Sequence, residues 1–390
     1  MEEKKRKLLN RTDKPDNVVE RENEILEKCG KIEEELPSWL RGYFMYLRSN
    51  VLPMTRLAYL QDIRFFCEYL LKETELAPGI TKIKDLKPEH FNGIKAVDIN
   101  IYIDWCRRYT VDTAEGTVIY ENRNSSLSRK KSSVSVFFKY LYRDGFVEKN
   151  ITDGFDPIRL PKPGEREIKA LQDDEVMKML DSVTTGSGLT KKEQDFWEKT
   201  KQRDKLILLL LVTYGLRLSE LQQLNVSSFN FDRGEFKIYR KRGKESVMPI
   251  NRTITEAFSD YVNLERPSDD TLDEENKDAL LLSLRGTRLT DRQIRQIVKK
   301  YTSVSLGTSR EKGYSPHKLR ATAATSLIAR GNSIYDVQEL LDHDNVTTTQ
   351  LYAAHKLNTK RELIRNFEWD EDMKKPGDEQ DDKCDMSYAR

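Results

Sequence analysis

Four short segments carry residues whose types and spacing suit them to handle a phosphate. The first, TYGLRLSEL (213–221), sets Arg217 two residues beyond Gly215, directly after an apolar run. A guanidinium projecting from a turn beside a core can clamp a phosphate with its planar fork. Equally, Arg217 could pair with Glu220 or cap a helix end. The second, RKRGKESVMP (240–249), reads as a basic hairpin tip. It is either a solvated turn or a device that lays a lysine in a groove beside a scissile phosphate. The third, SPHKLRAT (315–322), opens with a Ser-Pro helix start. His317 and Arg320 then share one face of the first turn, where the helix macrodipole favours an anion. A histidine at a helix start is also a common structural feature, although this chain has only 4. The fourth, LLDHDNVTTTQLY (340–352), ends one helix at His343 and starts the next with a threonine run. Tyr352 would lie about one and a half turns into that helix, where an isolated tyrosine is usually a core residue.

These segments need elements to hold them. Apolar residues recur at helical spacing through Trp39, Tyr43, Phe44, Tyr46 and Leu47, and again through Leu57, Leu60, Ile63, Phe66, Tyr69 and Leu70. Helices are predicted over 56–71, with Thr55 as N-cap, over 97–109 and over 127–144. Residues 153–167 hold three prolines and two glycines and read as a linker. Beyond it, Asp173 and Asp174 would cap a helix, and 184–189 (TTGSGL) reads as a flexible loop. A helix over 202–214, apolar on most faces, belongs deep in a second core. Strands at 235–239 and 246–250 flank the basic tip, and further helices fit 253–264, 290–301, 317–330, 333–341 and 347–366. The expected fold class is mainly α with a small β-sheet, in two domains. Residues 1–36, rich in Lys, Glu, Arg and Asn, would be an exposed helix or an arm.

Composition narrows the class further. The chain has 390 residues, enough for two cores, and a net charge of +2. From Glu368 onward nine acidic residues face four basic ones, so that tail carries −5 and the rest of the chain +7. A basic excess of that size can serve phosphate contacts or simply solvate a surface. Cys29, Cys67, Cys106 and Cys384 have no CxxC spacing, which gives no sign of a zinc site or a disulfide framework. With no apolar signal core at the N-terminus and no apolar run long enough to span a bilayer, the compartment reads as intracellular and reducing.

Taken together, Arg217, the hairpin lysine, the HxxR pair, His343 and Tyr352 occur in the order found in tyrosine recombinases, the family of phage integrases and Xer-type resolvases. TYGLRLSEL resembles that family's first arginine box and SPHKLRATAAT its second, and LLDHDNVTTTQLY resembles the segment around the nucleophile. The likeness extends from about Trp39 to Asn366. It implies a helical, SAM-like core DNA-binding domain over 37–152, a linker over 153–167 and a mixed α/β catalytic domain over 168–367. An extension (1–36) and an acidic tail (368–390) flank them.

The resemblance also implies a mechanism. Tyr352 attacks a DNA phosphate to form a 3′-phosphotyrosyl link, and Arg217 and Arg320 stabilise the transition state. Lys241, or Lys244 in its place, protonates the leaving 5′-oxygen. His317 takes the tyrosine proton, His343 hydrogen-bonds the phosphate, and Glu220 orients the site. Arg129, Lys130, Lys131, Lys139, Arg240 and Arg242 are candidate DNA contacts. No metal or cofactor is implied. The partners implied are double-stranded attachment sites, a homotetramer with a dimer per site around a Holliday junction, and an accessory directionality or DNA-bending protein. The setting would be the bacterial cytoplasm and nucleoid, without a membrane. An integrase of a mobile element is expected, with a Xer-type dimer resolvase, a topoisomerase and an inactive DNA-binding relative as alternatives. Five positions depart from the pattern. Arg240 and Arg242 flank Lys241 where glycines are usual. Asp342 and Asp344 stand where glycine and serine often flank the histidine, and two carboxylates there would slow cleavage or tighten its control. Ala321 follows Arg320 where a histidine is common, with a packing effect expected.

Overall fold

A computed structural model describes residues 12, 14–114, 116–161, 168–240 and 243–342. The chain divides into one compact unit of Met1–Pro161 with Lys237–Ser246, and another of Lys162–Phe236 with Val247–Arg390.

In the first unit, α1 (Asp16–Glu35), α2 (Arg41–Asn50), α3 (Pro53–Glu73), α4 (Pro88–Asn92) and α5 (Ala96–Trp105) lead to a hairpin of β1 (Arg108–Thr113) and β2 (Gly116–Glu121). Helix α6 (Asn124–Arg143) follows. Within the segment before Pro37, Asp16–Glu35 is thus a helix, and it packs on α3, burying Cys29 and Ile32. Glu33 of α1 pairs with Arg56 and, at 2.7 Å, with Arg48. The core is aromatic: Phe137 meets Tyr43 at 5.2 Å and Phe91 at 5.6 Å, edge to face, the favoured geometry for ring quadrupoles. Pro53 starts α3 at its first position, where a missing N–H costs nothing, so Thr55 lies inside the helix rather than capping it. The helix expected over 97–109 stops at Trp105, and Tyr109 belongs to β1. There the ring stacks between Trp105 (5.0 Å) and Tyr120 of β2 (5.3 Å).

The second unit begins its helices with α7 (Asp173–Thr185), α8 (Lys191–Trp197), α9 (Lys201–Tyr214) and α10 (Leu218–Gln222). Gln172, not Asp173, occupies the N-cap of α7; its N–H donates to Glu175, while Asp173 and Asp174 sit in the first turn facing the helix dipole. The loop expected at 184–189 is short and defined. Gly186 ends α7 in the left-handed conformation, and α8 follows. Strands β3 (Phe229–Asn230), β4 (Glu235–Tyr239) and β5 (Glu245–Pro249), of which 237–246 are grouped with the first unit, form the sheet that comes next. Phe229 stands opposite Phe236, their rings stacked at 4.9 Å. The chain continues through α11 (Arg252–Leu264), α12 (Asp291–Ser305), α13 (Pro316–Ala329) and α14 (Ile334–Leu341). Helix α9 is the centre, packing against α7, α11, α12 and α13. Its run Leu206–Leu211 is therefore buried throughout. Burying such side chains stabilises by about 1.5–3 kcal/mol each, and a helix apolar on all sides has no other stable place. Among the described residues no helix is long and apolar enough to cross a membrane. The expected mainly α class with a small sheet is the one observed.

Candidate active site

The end of α9 places the first candidate. Gly215 terminates the helix at φ +59°, its N–H donating to Leu211 O. A Cβ there would lie 2.6 Å from Leu341 Cδ2 and 3.4 Å from Ala323 and Arg320 side-chain atoms. Glycine thus serves twice, for the left-handed turn and for the close approach of α13 and α14. Two residues on, Arg217 is the N-cap of α10. The Glu220 carboxylate accepts from Arg217 N–H at 2.8 Å and from Nη1 at 2.7 Å, and Glu220 is only 2% exposed. The ion pair weighed against a functional role for Arg217 is therefore present, and it holds the guanidinium still. Arg217 Nη2 donates to Asp342 O at 2.8 Å, and the side chain keeps 31% exposure. A guanidinium has five N–H donors, so an open edge remains for an oxyanion.

The second box sits at the start of α13. Ser315 is its N-cap, Pro316 its first residue, and His317 and Arg320 lie in the first turns. Arg320 is buried; Nη1 donates to Gly215 O at 2.6 Å and Nη2 to Leu341 O. The two arginines thus hold consecutive carbonyls, Leu341 O and Asp342 O, at the negative end of α14. His317 as a whole is exposed, but protein crowds its imidazole. Partial desolvation leads the causes that lower its pKa, followed by repulsion from Arg320, Lys318 and Arg217. A neutral imidazole can accept a proton, as a general base must.

Asp342 caps α14 at φ 49°, ψ 56°, the left-handed region. That conformation accounts for the suitability of glycine at this place, since only glycine enters it without strain and Asp or Asn come next. Its Oδ2 lies 3.9 Å from Arg217 Nη1. Sequence reading missed the roles of the Leu341 and Asp342 carbonyls, because backbone acceptors leave no residue-type signal. His343, Tyr352, Lys241 and Arg242 lie outside the described residues, as does the helix expected over 347–366. Around the basic tip, Arg240 N–H donates to Lys244 O at 2.8 Å, closing the hairpin; Arg240 is buried and Lys244 exposed.

In the first unit, the candidate DNA contacts on α6 are differently placed. Lys130 is buried, 4.1 Å over the Phe65 ring and 3.6 Å from Asp62. Arg129 also pairs with Asp62 while keeping 48% exposure. Lys131 Nζ donates to the Phe155 and Asp156 carbonyls, at 3.2 and 2.5 Å. Lys139 is exposed.

The sequence model described as the phage integrase family matches residues 169–359. A relative, tyrosine recombinase XerC of Thermodesulfovibrio yellowstonii, is 32% identical over 233 residues, covering 59% of this chain and 71% of that protein. The chain belongs to the phage integrase family of tyrosine recombinases. Solved members of similar fold include the XerH recombinase in a post-cleavage complex with palindromic difH substrate. It has a TM-score of 0.56 at 17% identity and covers 92% of this chain and 91% of that one. The Tn1549 transposon integrase with circular intermediate DNA has a TM-score of 0.54 at 17% identity, covering 86% and 98%. In this tyrosine recombinase the two arginine boxes, separate in sequence, meet at the end of α14.

Proposed function

We propose that this recombinase cleaves and rejoins DNA at specific sites through a 3′-phosphotyrosyl link to Tyr352, and that it integrates and excises a mobile element. The convergence of Arg217 and Arg320 on the last carbonyls of α14 carries this reading. Two fixed cations close to where the chain runs on to His343 and Tyr352 suit a phosphate whose charge grows in the transition state. Arginine stays charged at any physiological pH, and the buried Glu220 pre-orients Arg217 at no cost during the reaction. His317, kept neutral, takes the tyrosine proton, and His343 donates a hydrogen bond to the phosphate. Lys241 from the hairpin protonates the 5′-oxygen, with Lys244 as its substitute. The phosphotyrosine conserves the bond energy, so a 5′-hydroxyl from a partner duplex can reverse the step.

The same reading assigns DNA gripping to a helical domain (37–152) and chemistry to a catalytic domain (168–367), joined by a linker over 153–167. Arg129, Lys139 and the tip residues Arg242 and Lys244 meet the backbone, whereas buried Arg240 and Lys130, and Lys131 on its carbonyl partners, would have to leave their present places to do so. Exchange would proceed through a tetramer, a dimer per site, at a Holliday junction, with an accessory DNA-bending protein, on the nucleoid of a bacterial cytoplasm. The fold shared with a transposon integrase supports the mobile-element role, as do the extra helices α1 and α8. The likeness to XerC supports a second reading, chromosome or plasmid dimer resolution. Incubation of the chain with nicked suicide substrates separates the two. DNA flanking its own gene should trap a covalent adduct that Tyr352→Phe cannot form. Trapping on a chromosomal dimer-resolution site alone would favour the second reading, and no trapping on either would remove both.

A further inference from the structure

Asp342 is the one described residue other than glycine with a positive φ. It is held there by its own carbonyl, which accepts from Arg217 Nη2 at 2.8 Å, and by the neighbouring Leu341 carbonyl, which accepts from Arg320. That backbone role would be met by any residue that tolerates the left-handed region. The carboxylate adds something the backbone does not need. Its Oδ2 lies 3.9 Å from Arg217 Nη1, the same nitrogen that donates to Glu220 at 2.7 Å, and the Asp342 side chain is only 21% exposed. Glu220 already supplies Arg217 with a full, buried counter-charge. Asp342 is thus a second anion beside Arg217, whose side chain keeps 31% exposure. A phosphodiester approaching Arg217 meets a like charge at close range.

We propose that Asp342 is a positioning residue that acts as an internal counter-ion, competing with the scissile phosphate for Arg217 and so restraining cleavage until bound DNA displaces it. This rests on the reading of Arg217 as the phosphate clamp. The restraint is electrostatic, so it weakens as salt screens the pair. It is separable from the cap, because asparagine keeps the left-handed tolerance and side-chain shape while losing the charge.

The test is single-turnover formation of the covalent adduct by the full chain on a nicked attachment site, across a salt series. Asp342→Asn should cleave about three- to fivefold faster than wild type at low salt, the range of a partly exposed ion pair. The gain should shrink as salt rises. Asp342→Gly should match that rate and also melt at a higher temperature. A purely structural Asp342 would instead make Asp342→Asn less stable and no faster. If Asp342→Asn cleaves at or below the wild-type rate throughout the series while Arg217→Ala abolishes trapping, the counter-ion proposal is overturned and the clamp stands. If Arg217→Ala cleaves like wild type, the clamp fails and the proposal with it.

Discussion

His317 and Glu220 show how much a side chain's surroundings decide its use. Partial desolvation and the nearby cations Arg320, Lys318 and Arg217 hold the His317 pKa below its ordinary value of 6.5. Protonation is therefore postponed to lower pH, and the neutral, proton-accepting form persists through the physiological range. The pH profile of kcat/KM for cleavage, which reports the free enzyme, should have its acid limb below pH 6.5. His317→Gln should lose roughly 10²-fold or more in rate together with that limb. An acid limb unchanged in His317→Gln would assign the titration elsewhere. Glu220 is nearly fully buried against Arg217, so Glu220→Ala leaves a cation without its fixed partner. A loss of about 3 kcal/mol is expected, the low end for breaking a buried pair because Arg217 keeps a solvent-facing edge. Denaturant melts measure it. Glu220→Gln, still able to accept, should retain the fold and lose part of the rate.

At the scale of elements, α8 is held in place by chemistry rather than by its own length. The Arg310 guanidinium grips Glu193 of α8 through Nε at 2.8 Å and Nη2 at 2.7 Å, and Nη1 donates to Ser303 at 2.7 Å. The bidentate bond, with Thr190 donating at the helix start, lowers the Glu193 pKa from 4.5 to about 2. A depressed carboxylate contributes stability that is complete above about pH 4.5 and fades as pH falls towards 2. Arg310→Met should therefore melt below wild type at pH 7, with the gap closing over that acid window. A gap independent of pH would mean that packing, not the ion pair, secures α8. This element was not read from the sequence because its seven residues, Lys191–Trp197, are too few to show a helical apolar period, whereas in the fold its position is fixed by the Gly186 turn and by Trp197 donating to Val183 O at 2.7 Å. The β1–β2 hairpin escaped for a related reason. Its residues are nearly all exposed, so burial leaves no period to read, and the Trp105–Tyr109–Tyr120 stack forms only once the hairpin has closed. The elements that form the second core were legible, since the apolar run of α9, the capped starts of α11, α12 and α14 and the proline start of α13 follow from local chemistry.

For the whole molecule, the sequence supplied the family and the order of its boxes, while the structure supplied the meeting of two of them. Arg217 and Arg320 are 103 positions apart in the chain, and they come together because Gly215 lets α13 and α14 close on the end of α9. No spacing rule reveals that both side chains are fixed by carbonyls of a third element. Tyr352 as nucleophile is tested most directly by trapping the chain on a nicked attachment site, digesting the adduct and mapping the modified peptide by mass spectrometry. The expected result is a DNA 3′ end on the Tyr352 oxygen, absent from Tyr352→Phe and strongly reduced in Arg217→Ala and Arg320→Ala. A DNA-linked peptide that lacks Tyr352, or an adduct that persists in Tyr352→Phe, would contradict it.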